Sequence, residues 1–222
     1  MPTKTLDASP DQRRAQMLHA AAELIAERGF SDTRIADVAL RVGASPALVI
    51  YYFGTKDSLL TAALRHSEDS FYAAAEEMLA HTPSLRTRLD TLVRLTCVRQ
   101  GADDEIPGSW GLWFDLWAQA FRHPEVARDR IDLDQRWRSM ILRVVEEAVA
   151  SGEIGAVDAE EFSLGFAALL DGLSIQVALE DPAMSPERAH TIAMRFAARE
   201  LGADWGPQAK PRRKASGSRR RS

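Results

Sequence analysis

Residues 33–60 constrain the fold more than any other part of the chain, because they contain two short helical patterns separated by a tight turn. In residues 34–41 the apolar side chains recur at helical spacing, and Thr33 is positioned to cap that helix. Gly43 tolerates the positive φ at which a helix stops. Ser45-Pro46 then offers a capping hydroxyl and a proline at the first helical position. The segment predicts a helix-turn-helix whose second helix can enter a DNA major groove.

The second helix, predicted from Pro46 to about Phe53, divides into an inward and an outward face. Leu48 and Val49 turn inward, whereas the N-terminal end is exposed and attracts phosphate through its free N–H groups. Its small and apolar side chains suit contact with thymine methyl groups more than bidentate base reading. The alternative is a small helical packing unit without DNA-binding function. The candidate DNA contacts are Thr33, Arg34, Ser45, Pro46, Ala47, Ile50, Tyr51, Tyr52 and Lys56.

A longer pattern surrounds this motif. An amphipathic helix precedes it and ends at Gly29-Phe30, and Lys56-Asp57-Ser58-Leu59-Leu60 follows it. With Thr33 to Ala39, Gly43-Ala44-Ser45 and Tyr51-Tyr52-Phe53, residues 13–60 resemble the DNA-binding domain of the TetR family of transcriptional regulators. The resemblance implies phosphate contacts at Tyr51 and Lys56. The chain departs from the family pattern where Ile50 replaces a tyrosine and Tyr52 replaces a histidine.

Composition limits the environment in which a chain of 222 residues would function. One cysteine, Cys97, excludes an intramolecular disulfide and fits a reducing cytoplasm. The N-terminus lacks the apolar core of a signal peptide, and no run of 18 apolar residues suggests a membrane span. We therefore expect a cytoplasmic protein with no membrane partner.

The charges are distributed unevenly along the chain. Residues 1–60 carry seven basic and seven acidic side chains, and residues 61–209 carry 14 and 25. Residues 210–222 carry seven basic side chains and no acidic one. An acidic body repels DNA, so contact should be confined to the first domain and the tail. The tail is either a solvated C-terminus or a sequence-independent clamp that releases counterions.

The remaining pattern is helical throughout and predicts an all-α fold. Four segments are expected: a flexible N-terminus (1–9), a helix-turn-helix DNA-binding domain (10–55), an effector-binding and dimerisation domain (56–205) and a disordered basic tail (206–222). Capping residues and glycine or proline breaks mark the helix ends. The predicted helices cover 10–28, 34–41, 46–52, 56–81, 84–101, 109–122, 125–151, 158–181 and 186–201.

The predicted helix 158–181 is apolar on nearly every face, from Phe162 to Leu179, so it must be buried on several sides. One side could belong to a partner subunit, and Ile192 and Phe196 on helix 186–201 offer a second face. The alternative is a deeply buried helix of a monomer. The family resemblance implies a homodimer formed by these two helices of each subunit, which would place two recognition helices on a palindromic operator.

Residues 109–121 carry aromatic side chains at helical spacing that predict one shared face. This face is either ordinary core or the wall of an effector cavity, where indoles near carboxylates such as Asp115 or Asp171 form a cage for a cation. The candidate ligand residues are Trp110, Trp113, Phe114, Trp117, Trp137 and Asp171. With Arg136-Trp137-Arg138 and Leu170-Asp171-Gly172-Leu173, this half resembles the BetI-like branch of the family. That resemblance implies a quaternary ammonium effector, with a polyamine as neighbour.

No sequence pattern points to catalysis. The chain has no phosphate-binding glycine loop, no CxxC and no HExxH, and its five histidines lack metal-ligand spacing. We therefore predict neither enzyme activity nor a cofactor nor a metal site. The predicted function is a ligand-responsive repressor that binds double-stranded DNA. The alternative is a helical ligand-binding or catalytic protein in which the helix-turn-helix is not the main activity.

Overall fold

The computed structural model describes residues 9–97, 110–121 and 124–205, and within these ranges it contains nine α-helices and no strand. This architecture confirms the predicted all-α fold. Residues 1–8, the whole of the predicted basic tail (206–222) and the last four residues of the predicted helix 84–101 lie outside the described ranges. The helices are α1 (Pro10–Arg28), α2 (Ile35–Arg41), α3 (Pro46–Phe53), α4 (Lys56–Ala80), α5 (Leu85–Cys97), α6 (Trp110–Ala120), α7 (Pro124–Ala150), α8 (Ala159–Ala178) and α9 (Pro186–Glu200).

Serine caps define the starts of α1, α3 and α9, as the sequence predicts. The hydroxyls of Ser9, Ser45 and Ser185 each accept a hydrogen bond of 3.2 Å from the backbone N–H three residues later. A proline follows each cap, where its missing N–H has no helical partner to lose. These local signals explain why the predicted and observed starts of the three helices coincide.

Thr33 has a different role from the predicted helix cap. Its hydroxyl donates to the carbonyl oxygen of Gly29 at 2.9 Å, and the side chain is fully buried. The start of α2 is capped instead by the Asp37 carboxylate, which accepts the N–H of Arg34 at 3.2 Å. The prediction of a Thr33 cap is therefore wrong, because its hydroxyl bonds back to the carbonyl of the preceding turn and not forward to an N–H of α2.

Two apolar cores lie along α4. The smaller core joins α1, α2, α3 and the first turns of α4 as far as Leu64, and it receives Leu133 from α7. It therefore extends past the predicted domain boundary at residue 55. The larger core joins the second part of α4 with α5, α7, α8 and α9. Because α4 contributes to both cores, it connects the two ends of the molecule as one continuous helix.

Helix α8 lies at the centre of the larger core. Phe166 and Leu170 are completely buried, and α5, α7 and α9 pack around them. By length and hydropathy alone α8 could cross a membrane, but its packing is that of a core helix. Leu164 on α8 and Leu179, the residue that caps its C-terminus, are more exposed, with exposed fractions of 50% and 69%.

Glu68 is a buried carboxylate on α4 that makes the stability of the fold depend on pH. Only 6% of the residue is exposed, and its Oε2 has no hydrogen-bond partner among the described residues. Burial raises the pKa of Glu68 to about 8; Asp69 and Asp134 add to this rise, and Arg136 opposes it. The folded protein therefore holds a proton here between pH 4.5 and 8 that the unfolded chain releases.

The free energy of unfolding should fall by about 1–3 kcal/mol as pH rises from 6 to 9, because ionising Glu68 leaves a buried charge without a full partner. The variant Glu68→Gln should lose less stability over the same range. Urea unfolding followed by circular dichroism measures both proteins. Glu77→Gln, at an exposed carboxylate further along α4 that does not contribute to the Glu68 shift, is the control and should keep the wild-type dependence. An equal pH slope in Glu68→Gln would contradict the assignment.

Candidate DNA-binding surface and ligand cavity

Helix α3 presents an exposed outer face at one end of the molecule. Val49 is fully buried in the smaller core, whereas Ile50 and Tyr51 are 48% and 82% exposed. Ser45, Pro46 and Ala47 are exposed at the helix N-terminus. The apolar period predicted this division, because residues one turn apart share a face. An exposed aromatic and aliphatic pair beside a free helix N-terminus is suited to the bases and phosphates of a major groove.

Tyr52 and Lys56 are tied more closely to the protein than the sequence suggests. Tyr52 is half-buried against the smaller core, and its ring lies edge-on to that of Tyr51 with the centroids 5.6 Å apart. The ammonium of Lys56 donates to the carbonyl oxygen of Ser31 at 2.8 Å and lies over the ring of Phe30. Tyr52 therefore packs behind the exposed face, whereas the Lys56 ammonium is positioned by Ser31 and keeps two N–H donors for a phosphate.

The other candidates around α2 separate into buried and exposed positions. Thr33 is buried, so its side chain is not available to DNA, whereas Arg34 is exposed at the start of α2. Arg41 is held by Glu27 in a two-pronged pair, with N–O distances of 2.8 and 3.0 Å. Leu40, which the sequence analysis did not select, is 82% exposed. Leu40 lies outside the inward-facing apolar stripe of α2, and this position in the sequence could have indicated that it is exposed.

A cavity of about 220 Å³ lies in the C-terminal domain between α4, α5, α6, α7 and α8. Aromatic rings form much of its wall, and two acidic and two basic side chains lie among them. The aromatic lining residues are Phe71, Tyr72, Trp113, Trp117 and Trp137, the charged ones are Arg130, Asp134, Arg138 and Asp171, and the others are Leu95, Thr96, Leu164, Ala167 and Ala168.

The cavity contains four of the six predicted ligand residues: Trp113, Trp117, Trp137 and Asp171. Phe114 is not among the lining residues; its ring packs against Trp117, with the centroids 6.0 Å apart. The side chain of Trp110 lies outside the described residues. Five further lining residues on α4 and α7 were not predicted as ligand contacts, because no local pattern marks them. They are Phe71, Tyr72, Arg130, Asp134 and Arg138.

The electrostatics of the cavity centre on Asp171. Burial raises the pKa of this carboxyl to about 6 and Asp134 adds to the rise, while Arg130 and Arg138 oppose it. Asp134 is already engaged, because Arg130 donates to its Oδ2. The indole N–H of Trp137 is buried without a hydrogen-bond partner among the described residues. Aromatic faces together with an acidic side chain are the groups that recognise a compact organic cation.

Helix α6 connects the cavity with the DNA-binding domain. The sequence suggested that Asp115 could lie beside the indoles of the cavity, but it is not among the lining residues. Its Oδ2 accepts the backbone N–H of Phe30 at 2.9 Å. Gly29 has a φ of 86°, and a Cβ atom there would lie 3.3 Å from the same oxygen. Trp113 packs against the smaller core and also lines the cavity. Helix α6 therefore contacts both the cavity and the turn between α1 and α2.

Comparison with known proteins follows the same division into two domains. Residues 17–63 match the family model described as bacterial regulatory proteins of the tetR family, and residues 85–202 match the BetI-type transcriptional repressor C-terminal model. The HTH-type transcriptional regulator BetI of Escherichia coli O45:K1 is 29% identical, over 86% of this chain and 95% of that protein. The Rhizobium meliloti protein of the same name is 30% identical, over 79% and 82%.

Two solved structures extend these matches to the fold. A putative transcriptional regulator from Saccharomonospora viridis, in complex with choline, has a TM-score of 0.75 and 27% identity, covering 86% of this chain and 98% of that one. A putative TetR-family transcriptional regulator from Rhodococcus sp. has a TM-score of 0.73 and 28% identity, covering 85% and 98%. The arrangement of both domains is therefore similar to that of transcriptional regulators.

Proposed function

The chain belongs to the TetR family of transcriptional regulators, with a C-terminal domain of the BetI type, and from that premise we propose that its effector is a small quaternary ammonium compound. The observation that carries this proposal is the cavity that Trp113, Trp117, Trp137 and Asp171 line together. A quaternary ammonium has no N–H to donate, so it is recognised by aromatic faces and by a nearby negative charge. The choline complex of the Saccharomonospora viridis regulator supports this ligand class.

A polyamine is the second candidate, and the cavity favours it less. Each of its ammonium groups needs hydrogen-bond acceptors, and Asp134 is already bound by Arg130. A second positive charge would also lie near Arg130 or Arg138, since both guanidinium groups line the same cavity. A compact ligand with one cationic head group avoids this repulsion.

For the DNA-bound state we propose a homodimer in which α8 and α9 of each subunit pack together. This arrangement would bring two copies of α3 to successive major grooves about 34–36 Å apart. The exposed apolar face of α8 supports it. The proposed contacts are Arg34 at the start of α2, the α3 residues Ser45, Pro46, Ala47, Ile50 and Tyr51, and, more weakly, Tyr52 and Lys56.

Two measurements test the proposal separately. Selection of bound fragments from a random duplex pool should enrich a palindrome with half-sites about one helical turn apart. Titration of tryptophan fluorescence should give a saturable change with choline, a weaker one with betaine and little with spermidine. A folded protein that enriches a palindrome but is silent with all three amines would reject the effector and leave operator binding intact.

Choline affinity should increase about ten-fold between pH 5 and pH 7, because Asp171 with a pKa near 6 changes from mostly protonated to mostly ionised over that range. Calorimetric titration at several pH values measures this dependence. Asp171→Asn should bind weakly at every pH and remove the dependence. Asp132→Asn, at an exposed position outside this cavity, should behave as wild type. A pH-independent wild-type affinity would exclude Asp171 as the counter-charge.

A further inference from the structure

The outer face of α3 consists almost entirely of hydrocarbon. Pro46, Ala47 and Ile50 are all exposed, and the exposed fraction of Ile50 is 48%. Residues three or four positions apart on a helix are neighbours, so these three side chains form one apolar patch. Val49 fills the smaller core from the other side of the helix. The patch therefore lies on the face of α3 that a helix-turn-helix presents to a major groove.

Helix α3 has none of the side-chain types that read guanine, adenine or cytosine most specifically. Guanine is read best by arginine or lysine, adenine by asparagine or glutamine, and cytosine by a carboxylate. None of these residue types occurs between Pro46 and Phe53. The Ser45 hydroxyl already accepts the N–H of Leu48 at 3.2 Å. The phenol of Tyr51 offers a single hydrogen bond, which discriminates between bases less than a bidentate pair does.

The cations near α3 flank this helix, and none of them belongs to it. Arg14 of α1 lies over the ring of Phe53, with 5.3 Å between the guanidinium carbon and the ring centroid. Arg41 is held by two carboxylates of α1, and the Lys56 ammonium donates to a backbone carbonyl. Arg34 is exposed at the start of α2. Groups placed in this way suit phosphates, and phosphate contacts position a protein on DNA without reading its sequence.

The thymine methyl group is the feature of the major groove that matches an apolar patch, because no other base presents a methyl group there. We propose that the chain identifies its operator mainly through thymine methyl groups, which Ile50 contacts in each half-site with Pro46 and Ala47 beside it. This inference rests on the proposed operator binding and deepens it, because it specifies the chemistry of the DNA. The base pairs that face Ile50 contain thymine, and their methyl groups carry most of the specificity.

The first test removes these methyl groups from the DNA. Deoxyuridine pairs as thymidine does and lacks only the C5-methyl group. Uracil in place of thymine throughout both half-sites of the selected palindrome should weaken binding by about 15-fold or more, since burial of one methyl group in each half-site contributes about four-fold. The same replacement in the spacer between the half-sites is the control and should change the affinity little. Fluorescence anisotropy at one salt concentration measures each duplex.

The outcomes separate this inference from the operator binding on which it rests. A palindrome without thymine in its half-sites, or equal affinity for the thymine and uracil duplexes, would overturn methyl recognition and leave operator binding intact. Failure to enrich any palindrome would reject operator binding itself, and methyl recognition with it.

A second test restores the methyl group on a different base. Exchanging thymine for cytosine changes the hydrogen-bonding groups and removes the methyl group, whereas 5-methylcytosine returns a methyl group to the same position in the groove. The methylated duplex should bind about 15-fold more tightly than the unmethylated one, with the same factor of about four for each half-site. Equal affinity would show that thymine is read through its other groups, contrary to the inference.

Variants of the protein assign the methyl contact to Ile50. Ile50→Ala should reduce the ratio between the thymine and uracil affinities to about four-fold or less, because alanine retains only a small part of the apolar contact. Met78→Ala, on an exposed part of α4, should keep the wild-type ratio. Arg34→Ala should lower both affinities by the same factor, since a phosphate contact does not distinguish the bases. Circular dichroism establishes the fold of each variant, and a wild-type ratio in a folded Ile50→Ala protein would overturn recognition by this patch.

Discussion

Replacing Ile50 and Tyr51 together with alanine should weaken binding to the selected operator by about 30- to 700-fold, without unfolding the protein. In each subunit Ile50 offers an apolar contact to a thymine methyl group, and the phenol of Tyr51 offers a hydrogen bond to a phosphate. The double variant loses both contacts in each of the two subunits of the dimer. At ~0.5–1 kcal/mol for each contact, the total is about 2–4 kcal/mol. Fluorescence anisotropy with a labelled operator measures the change at fixed salt concentration.

The design of this experiment separates side-chain contacts from general electrostatics. Neither residue is charged, so the slope of log affinity against log salt concentration should stay unchanged. Arg34→Ala is the contrasting variant and should reduce that slope if its guanidinium contacts a phosphate. Met78→Ala removes an exposed apolar side chain far along α4 and should bind as wild type. An Ile50→Ala/Tyr51→Ala protein with wild-type operator affinity would contradict the proposed recognition face.

Replacing Asp115 with alanine should reduce the effect of choline on operator binding about ten-fold or more while both ligands still bind separately. Its carboxylate accepts the N–H of Phe30, and α6 carries Trp113 and Trp117 into the cavity. A hydrogen bond to a charged group contributes ~1.5–3 kcal/mol, which is comparable with a typical coupling free energy between two sites. Operator affinity measured with and without saturating choline gives the coupling directly.

Two controls show whether Asp115 transmits the signal. Asp115→Asn keeps an oxygen that can accept the Phe30 N–H and should retain part of the coupling. Choline affinity in the absence of DNA should change little in both variants, because Asp115 does not line the cavity. If choline weakens operator binding by Asp115→Ala as much as by the wild type, the hydrogen bond between Asp115 and Phe30 does not couple the two sites.

Local sequence signals predicted the elements well because each of them acts within one turn of helix. The serine caps at Ser9, Ser45 and Ser185 need only the next three residues, and the exposure of Ile50 and Tyr51 follows from helical period. Thr33 shows the limit of such signals. A hydroxyl before a helix can bond forwards to an N–H or backwards to a carbonyl, and the turn geometry decides between them.

The sequence predicted the lining residues of the cavity best on α6, where aromatic side chains repeat at helical spacing. The aromatic spacing on α6 identified Trp113 and Trp117, since one face of one helix carries both. Tyr72, Arg130 and Asp134 come from α4 and α7, which are distant in sequence, and their meeting depends on how the helices pack. Asp115 was misassigned for the same reason, because its acceptor role depends on the approach of α1 to α6.

The sharing of α4 between two cores determines where such a protein can recombine with its relatives. A junction at residue 55 would separate α1, α2 and α3 from Leu59, Leu60 and Leu64, which fill the smaller core. A chimaera joined there would pack the three DNA-binding helices of one protein against the α4 core residues of another. A junction after Leu64 keeps the helix-turn-helix part of that core together and leaves only Leu133 and Trp113 to come from the other parent, so the exchangeable module ends in the middle of a helix. Chimaeras that pair the operator of one relative with the effector of another should therefore fold best when the junction lies within α4, after Leu64.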